Sequence, residues 1–137
     1  MKTALIDTSA ICGMAERTDK YHTAAQVFGV RWLTEANQFV LLDWVFNESM
    51  TLLKRHLGAV LAVQAGQLLR KSPLYRWLVV TPVDEHEIWT VFQQYADKDW
   101  SYTDCALLVL SRRLKIPQVF TYDAHFLQMP GIKRIGG

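Results

Sequence analysis

The sequence predicts an α/β domain with a mainly parallel central sheet of four to five strands, on three observations. Short apolar runs of strand length, Ala4-Leu5-Ile6, Phe39-Val40-Leu41-Leu42 and Val119-Phe120-Thr121, alternate with longer segments of helical period. Those runs are apolar at consecutive positions rather than alternate ones, as in parallel strands covered on both faces. Half of the 137 residues are hydrophobic and 20% charged, which excludes disorder and supplies a core that needs no disulfide staples. Residues 1–137 are expected to form one domain.

Ala4 to Asp7 reads as the first strand, with an acid at its carboxyl end, and Thr8-Ser9 as capping residues for a helix from Ala10 toward Ala15. Ala24, Val27, Phe28, Val30 and Trp32-Leu33 recur near helical period up to Ala36, and Asn37 closes that segment. Phe39 to Leu42 is the second strand. Asp43 resembles an N-cap for a helix through Leu57, with Lys54-Arg55-His56 in its last turn and Gly58 as its stop. A further helix covers Val60 to Lys71 and ends at Ser72-Pro73, and Trp77 to Thr81 reads as the third strand. Asp84-Glu85 open a helix to about Tyr95, placing acids at its positive end. The polar loop Asp97–Thr103 leads to a helix from Asp104 to Leu114, stopped at Ile116-Pro117. Val119 to Thr121 is the fourth strand, and Ile132 to Ile135 a short edge strand.

Four acids stand where apolar neighbours make them costly. Asp7 ends the first strand, Glu48 lies between Phe46 and Met50, Asp104 opens the run Cys105–Leu110, and Asp123 follows Val119–Tyr122. A carboxylate at the margin of a core costs several kcal/mol of desolvation unless it is paired or bound to metal. Four such acids point to a shared pocket holding a hard cation. In open parallel sheets ligands gather beyond the carboxyl ends of the strands, where Asp7 and Asp123 are expected. Each acid also has a structural explanation. Asp7 can cap the first helix, Asp104 can sit at a helix N-terminus favoured by the dipole, Asp123 can form an Asx turn, and Glu48 can lie on an exposed helix face.

With these residues placed, the chain resembles the PIN-domain family and, within it, the VapC-like ribonuclease toxins of toxin–antitoxin pairs. The resemblance rests on Leu5-Ile6-Asp7-Thr8-Ser9, Asn47-Glu48 with Leu52-Leu53, Asp99-Trp100-Ser101-Tyr102-Thr103-Asp104-Cys105, and Thr121-Tyr122-Asp123-Ala124-His125-Phe126, in that order along nearly the whole chain. It implies a PIN-like α/β/α sandwich in which Asp7, Glu48, Asp104 and Asp123 surround one or two Mg²⁺ or Mn²⁺ ions. It also implies RNA hydrolysis giving 5′-phosphate and 3′-hydroxyl ends, and a cognate antitoxin as partner. The chemistry suits the residues: Mg²⁺ is a hard ion that takes oxygen ligands, and one held by carboxylates can activate water and orient a phosphodiester. The rival is a non-catalytic module of the same fold that binds RNA or protein and keeps the acids for structure.

Thr8, Ser9, Thr103 and Thr121 neighbour the four acids, and their hydroxyls can either steady the carboxylates or cap helices. Asp99 and Ser101 can cap the helix that carries Asp104. Lys54 and Arg112 lie roughly 9 to 14 Å along their helices from the acids, within reach of flanking phosphates, although helix C-terminal placement explains them too. Lys98, in the loop before Asp104, is the better candidate for an RNA contact. Trp100, Tyr102 and Tyr122 can stack unpaired bases or belong to the core. The four histidines show no metal spacing with one another; His125 is near enough to Asp123 to touch substrate. Cys12 and Cys105 read as small buried hydrophobes.

A net charge of +2 is too mild to indicate nucleic-acid binding by itself. Surplus apolar surface fits a homodimer or a groove for an antitoxin helix. The N-terminal apolar run is too short for a signal peptide, and no stretch approaches the roughly 18 apolar residues of a membrane span. A cytoplasmic protein without membrane association is therefore expected.

Overall fold

The computed structural model describes every residue from Met1 to Gly137. Strand β1 (Thr3–Ile6) is followed by helices α1 (Thr8–Ala15) and α2 (His22–Thr34), then β2 (Gln38–Leu42), α3 (Asp43–Leu57) and α4 (Ala59–Lys71). Next come β3 (Tyr75–Leu78), α5 (Pro82–Gln94), α6 (Tyr102–Leu114), β4 (Gln118–Phe120), a 3₁₀ turn at Ala124–Leu127, and β5 (Lys133–Ile135). The five strands lie in the order β3-β2-β1-β4-β5 and every pairing is parallel. The expected α/β architecture is therefore observed, with the upper strand count and no antiparallel member.

Burial explains the uninterrupted apolar runs. Ala4, Leu5 and Ile6 in β1 and Phe39 to Leu42 in β2 have no exposed surface, so side chains on both faces of these strands are covered by helices. Phe120 of β4 anchors the centre, its ring 4.8 Å from Phe28, 5.3 Å from Phe39 and 5.8 Å from Tyr122. The chain leaves β1 toward β2 on one side and pairs it with β4 on the other. The order thus reverses between β1 and β4, and the carboxyl ends of these two neighbours mark the crevice in which such sheets seat ligands.

Several boundaries differ from the sequence reading. The third strand is Tyr75–Leu78 rather than Trp77–Thr81, because β2 offers partners only from Phe39↔Tyr75 to Leu42↔Leu78. Val79 and Val80 continue the β-rich run past that ladder; the Val80 N–H donates to Asp43 Oδ1 at 3.0 Å, and Thr81 becomes a cap. Helix α5 accordingly starts at Pro82, with Thr81 and Asp84 forming a reciprocal capping box, and not at Asp84. Asp43 is the first helical residue of α3 and Leu42 its N-cap; Asp43 Oδ1 accepts both the Trp44 N–H in the first turn and the Val80 N–H of the β3–α5 connection. Helix α1 begins at Thr8, two residues earlier than expected. Gly58 ends α3 with φ of 88°, the backbone conformation for which glycine is the natural stop.

The two cysteines are buried and unpaired. No helix is long and apolar enough to cross a membrane. Because Phe120 is fully buried among three aromatic rings, Phe120→Ala is expected to cost about 3–5 kcal/mol in chemical denaturation, against a small effect for truncating exposed Val83.

Candidate active site

Asp7 is the residue at which β1 turns into α1. It occupies the N-cap position, yet its side chain makes no capping bond. Its carboxylate is instead turned across the sheet edge, where Oδ2 accepts the hydroxyls of Ser9 (2.9 Å) and Thr121 (2.8 Å). Ser9 also accepts the Tyr122 N–H, and Thr121 the Asp123 N–H, so a network of short bonds fastens the end of β1 to the segment leaving β4. Asp7 is 4% exposed. Burial pushes its carboxyl up from 3.8 to about 6, with the nearby Asp104 charge adding to the rise, against the lowering effect of Thr121, Ser9 and the Thr8 N–H.

Asp104 enters from the first turn of α6. Ser101 is the N-cap, its hydroxyl accepting the Asp104 N–H while Asp104 Oδ2 accepts the Ser101 N–H at 2.9 Å. Capping therefore orients the acid rather than competing with a role in the site. The same Oδ2 lies 3.0 Å from His125 Nδ1, which is also 3.3 Å from Asp123 Oδ1. Asp123 begins the 3₁₀ turn and Oδ1 accepts the His125 N–H at 2.8 Å, the Asx geometry foreseen for it. Donating to the Asp104 carboxylate raises the pKa of His125, opposed by desolvation and helped by the charges of Asp123, Asp104 and Asp99.

The three aspartates share one pattern. Each commits a single oxygen, Oδ2 of Asp7 and Asp104 and Oδ1 of Asp123, to the bonds that hold it, and leaves the other without a side-chain donor. All three line one cleft of about 370 Å³ together with Glu48, Glu16 and Asp19. Glu48 is half-buried and reaches that cleft from inside α3. No lysine or arginine lines it; its only side-chain nitrogens belong to His56 and His125. Cys12, at the floor, registers the resulting potential: burial first, and then Glu16, Asp19, Asp7 and Glu48, push its thiol up to about 12, so it stays protonated.

These features fit a hard divalent cation. Asp104, Asp123 and His125 each offer a donor atom within 4.8 Å of the others, and Asp7 and Glu48 face the same space. The Thr8 hydroxyl, buried in the wall of the cleft, has no hydrogen-bond partner within the protein. An oxygen-rich donor set with spare lone pairs is what Mg²⁺ or Mn²⁺ takes.

The other residues singled out from the sequence divide. Thr8, Ser9 and Thr121 stand in or against the cleft. Thr103 instead faces a neighbouring depression beside Trp44, Glu85 and Tyr102, because it is one residue away from Asp104 on α6. Asp99 and Lys98 lie with Trp89, Phe92 and Trp100 in a separate aromatic hollow, and Ser101 rather than Asp99 caps α6. Lys98 is 3.8 Å from Asp97. Lys54 and Arg112 are exposed and outside the cleft, in the last turns of α3 and α6. Trp100 and Tyr122 are buried, Trp100 donating to Gln128 and Tyr122 to the Gly136 carbonyl, which leaves neither free to stack a base. The pair Glu16–His56 escaped the sequence reading of the site, whereas His125, noted there for its nearness to Asp123, stands against both Asp123 and Asp104. His125 is two residues from Asp123, the nearness that singled it out; Glu16 and His56 are joined only by packing of α1 against α3.

No family model matches the chain. It is 25% identical over 121 residues to the 23S rRNA-specific endonuclease VapC20 of Mycobacterium tuberculosis, covering 88% of this chain and 89% of that protein. The crystal structure of that protein, described as a sarcin–ricin loop cleaving toxin, superposes with a TM-score of 0.84 at 23% identity, over 93% of this chain and 95% of the other. FitAcB from Neisseria gonorrhoeae gives 0.68 at 14% identity over 96% of both chains. PAE2754 from Pyrobaculum aerophilum gives 0.64 at 18% identity, over 98% of this chain and 89% of the other. The likeness to VapC-like PIN-domain proteins read from four motifs thus holds in sequence over most of the chain and in fold.

A carboxyl whose folded pKa is raised favours the native state only while it can stay protonated. Its contribution is complete below the unfolded value and is lost as pH climbs through about 6. In chelator, Asp7→Asn is therefore expected to melt above the wild type at pH 7.5, by an equivalent of up to about 3 kcal/mol, with the gap closing toward pH 4. A gap independent of pH would show that Asp7 ionisation is not the source.

Proposed function

We propose that this chain is a metal-dependent endoribonuclease, Asp7, Glu48, Asp104 and Asp123 holding Mg²⁺ or Mn²⁺, and that it acts in the cytoplasm as the toxin of a toxin–antitoxin pair. The observation that carries this reading is the convergence of acids from four distant segments on one sheet edge, three of them braced through one oxygen and open at the other. The relationship to VapC20 supports RNA as the substrate class, and the 23S rRNA named for that relative is the first substrate to test.

In this reading Asp7 and Asp104 are the principal cation ligands, and Glu48 and Asp123 complete the shell directly or through water. Ser9 and Thr121 keep Asp7 at its post, and the Ser101 N–H does the same for Asp104. His125, between Asp104 and Asp123, restrains both and offsets part of their mutual repulsion. Bound divalent ions supply Lewis-acid activation of water and neutralise charge at the phosphodiester. Cys12 takes no part, since its thiol is held protonated.

An apolar groove of about 450 Å³ between α1, α2 and α4, with Met14, Val30, Leu33, Leu61 and Leu68 among its lining, supports an antitoxin helix as partner. Exposed Trp89 and Phe92 on α5 support a second copy of the chain as another.

Purified protein is expected to cut 23S rRNA only with Mg²⁺ or Mn²⁺, and Asp104→Asn to lower the rate at least about a hundredfold while leaving the fold intact by circular dichroism. Saturating Mg²⁺ should raise the melting temperature, by an equivalent of about 2.7 kcal/mol at a hundred times Kd. Cleavage that persists in EDTA, or in Asp104→Asn, would defeat the reading; a metal-raised melting temperature without cleavage would leave a non-catalytic RNA- or protein-binding module.

A further inference from the structure

In the same cleft, Glu16 and His56 form a dyad that the four-acid site does not use. Glu16, just past α1, is 7% exposed, and its carboxylate has one partner, His56 Nδ1 at 2.6 Å. His56 is on α3 two turns beyond Glu48. With Leu52 between them, these residues make the i, i+4, i+8 stripe by which α3 faces the cleft. The His56 side chain is 46% exposed, so one ring nitrogen is fixed on a buried acid and Nε2 remains for something in the cleft.

A helix C-terminus favours cations, and a histidine in the last turn of α3 answers that preference. Lys54 and Arg55, in the same turn, answer it too, exposed and without ion-pair partners. The dipole does not account for a carboxylate withdrawn from water to hold the ring of the third. Burying Glu16 costs desolvation that the bond to His56 must offset, and what this arrangement secures is orientation. The surroundings indicate the ligand. Among cleft-lining residues only the two histidines carry side-chain nitrogen, and Nδ1 of His125 is already shared by Asp104 and Asp123. Nε2 of both rings and the Thr8 hydroxyl have no partner within the protein, but His125 and Thr8 stand with the acids, and His56 is the donor placed away from them. It stands about 12 Å along the helix from Glu48, too far to meet the phosphate that reacts at the acids.

We propose that His56, as the doubly protonated ring with Nδ1–H on Glu16 and Nε2–H turned to the ligand, binds a backbone phosphate of the RNA strand flanking the scissile bond, and that Glu16 is its positioning residue. This inference rests on the ribonuclease reading above and adds a second point of attachment to it. The acids would hold the strand through the divalent ion they bind, and an oriented imidazole two turns along α3 from Glu48 would hold it again.

Two replacements of His56 separate binding from structure. Asparagine places an amide near Nδ1 and preserves the link to Glu16 without an outward donor; glutamine places its amide near Nε2. With Mg²⁺-loaded full-length protein and 23S rRNA, His56→Asn should raise KM about tenfold with kcat nearly unchanged and a wild-type melting temperature. His56→Gln should recover most of the KM. Glu16→Gln should raise KM about threefold through a less fixed ring. Wild-type KM in His56→Asn, whatever happens to its melting temperature, overturns the inference while leaving the ribonuclease reading intact, as does an equal loss in both replacements carried by kcat. Failure of the wild-type protein to cleave or bind the RNA overturns both.

Discussion

A carboxylate buried at the mouth of a parallel sheet, with no lysine or arginine beside it, is the constraint around which this molecule is arranged. Asp7 is almost wholly withdrawn from water, and what stabilises its charge from within the protein is two hydroxyls and a backbone N–H. Those donors do not outweigh desolvation, and the carboxyl remains well above its ordinary range. By contrast, Asp84, also little exposed in its capping box, lies below the usual range: against desolvation, it accepts the Thr81 N–H and is met by Arg113 at 2.7 Å. The fold knows how to neutralise a buried acid with a guanidinium and does so there. At the cleft it uses neutral donors and two histidines, which leaves negative potential standing.

The topology makes that concentration of charge feasible. Residues 7 and 121 are far apart in sequence, yet parallel pairing of β1 with β4 sets them side by side, since both strands end at the same edge. Every crossover returns the chain to the opposite edge, so each strand delivers its last residue to one rim. The positive end of α6 opens at that rim too, where it lowers the cost of Asp104. Ser9, Thr121 and Ser101 are thus bound up with both tasks. They hold acids in place, and the same bonds knit β1 to the segment after β4 and start α6. Positioning of the site and closure of the fold are inseparable along this edge.

How much of this could be read from the chain follows from the range of each interaction. Asp7, Glu48, Asp104 and Asp123 were legible because an acid inside an apolar run is anomalous without any knowledge of three-dimensional neighbours. The strands were legible because burial on both faces leaves unbroken apolar runs. The third strand was displaced because its extent is decided by where β2 ends, not by the β-preference of Trp77-Leu78-Val79-Val80. Lys98, Asp99 and Thr103 looked close to the acids because they are close in sequence, but the turn into α6 points them into other hollows. Glu16 and His56 look ordinary in sequence, an acid in a polar break and a histidine in a basic helix end. Only the packing of α1 against α3 shows that one is buried and grips the other.

The distribution of charge also bears on how a polyanion could enter. The chain carries a net +2, yet its basic residues are placed outside the cleft, and the acids inside would repel phosphate at contact distance. An acidic mouth of this kind gains affinity for RNA only as divalent ions occupy it, so on the ribonuclease reading substrate affinity and catalytic competence rise with the same loading. Arginines around the acids would have eased substrate capture and would also have taken up the oxygen lone pairs that a hard cation requires, as Arg113 does at Asp84. Leaving the lone pairs open sacrifices native stability and electrostatic attraction together, and what it retains is a rim whose sign is set by the ions it binds.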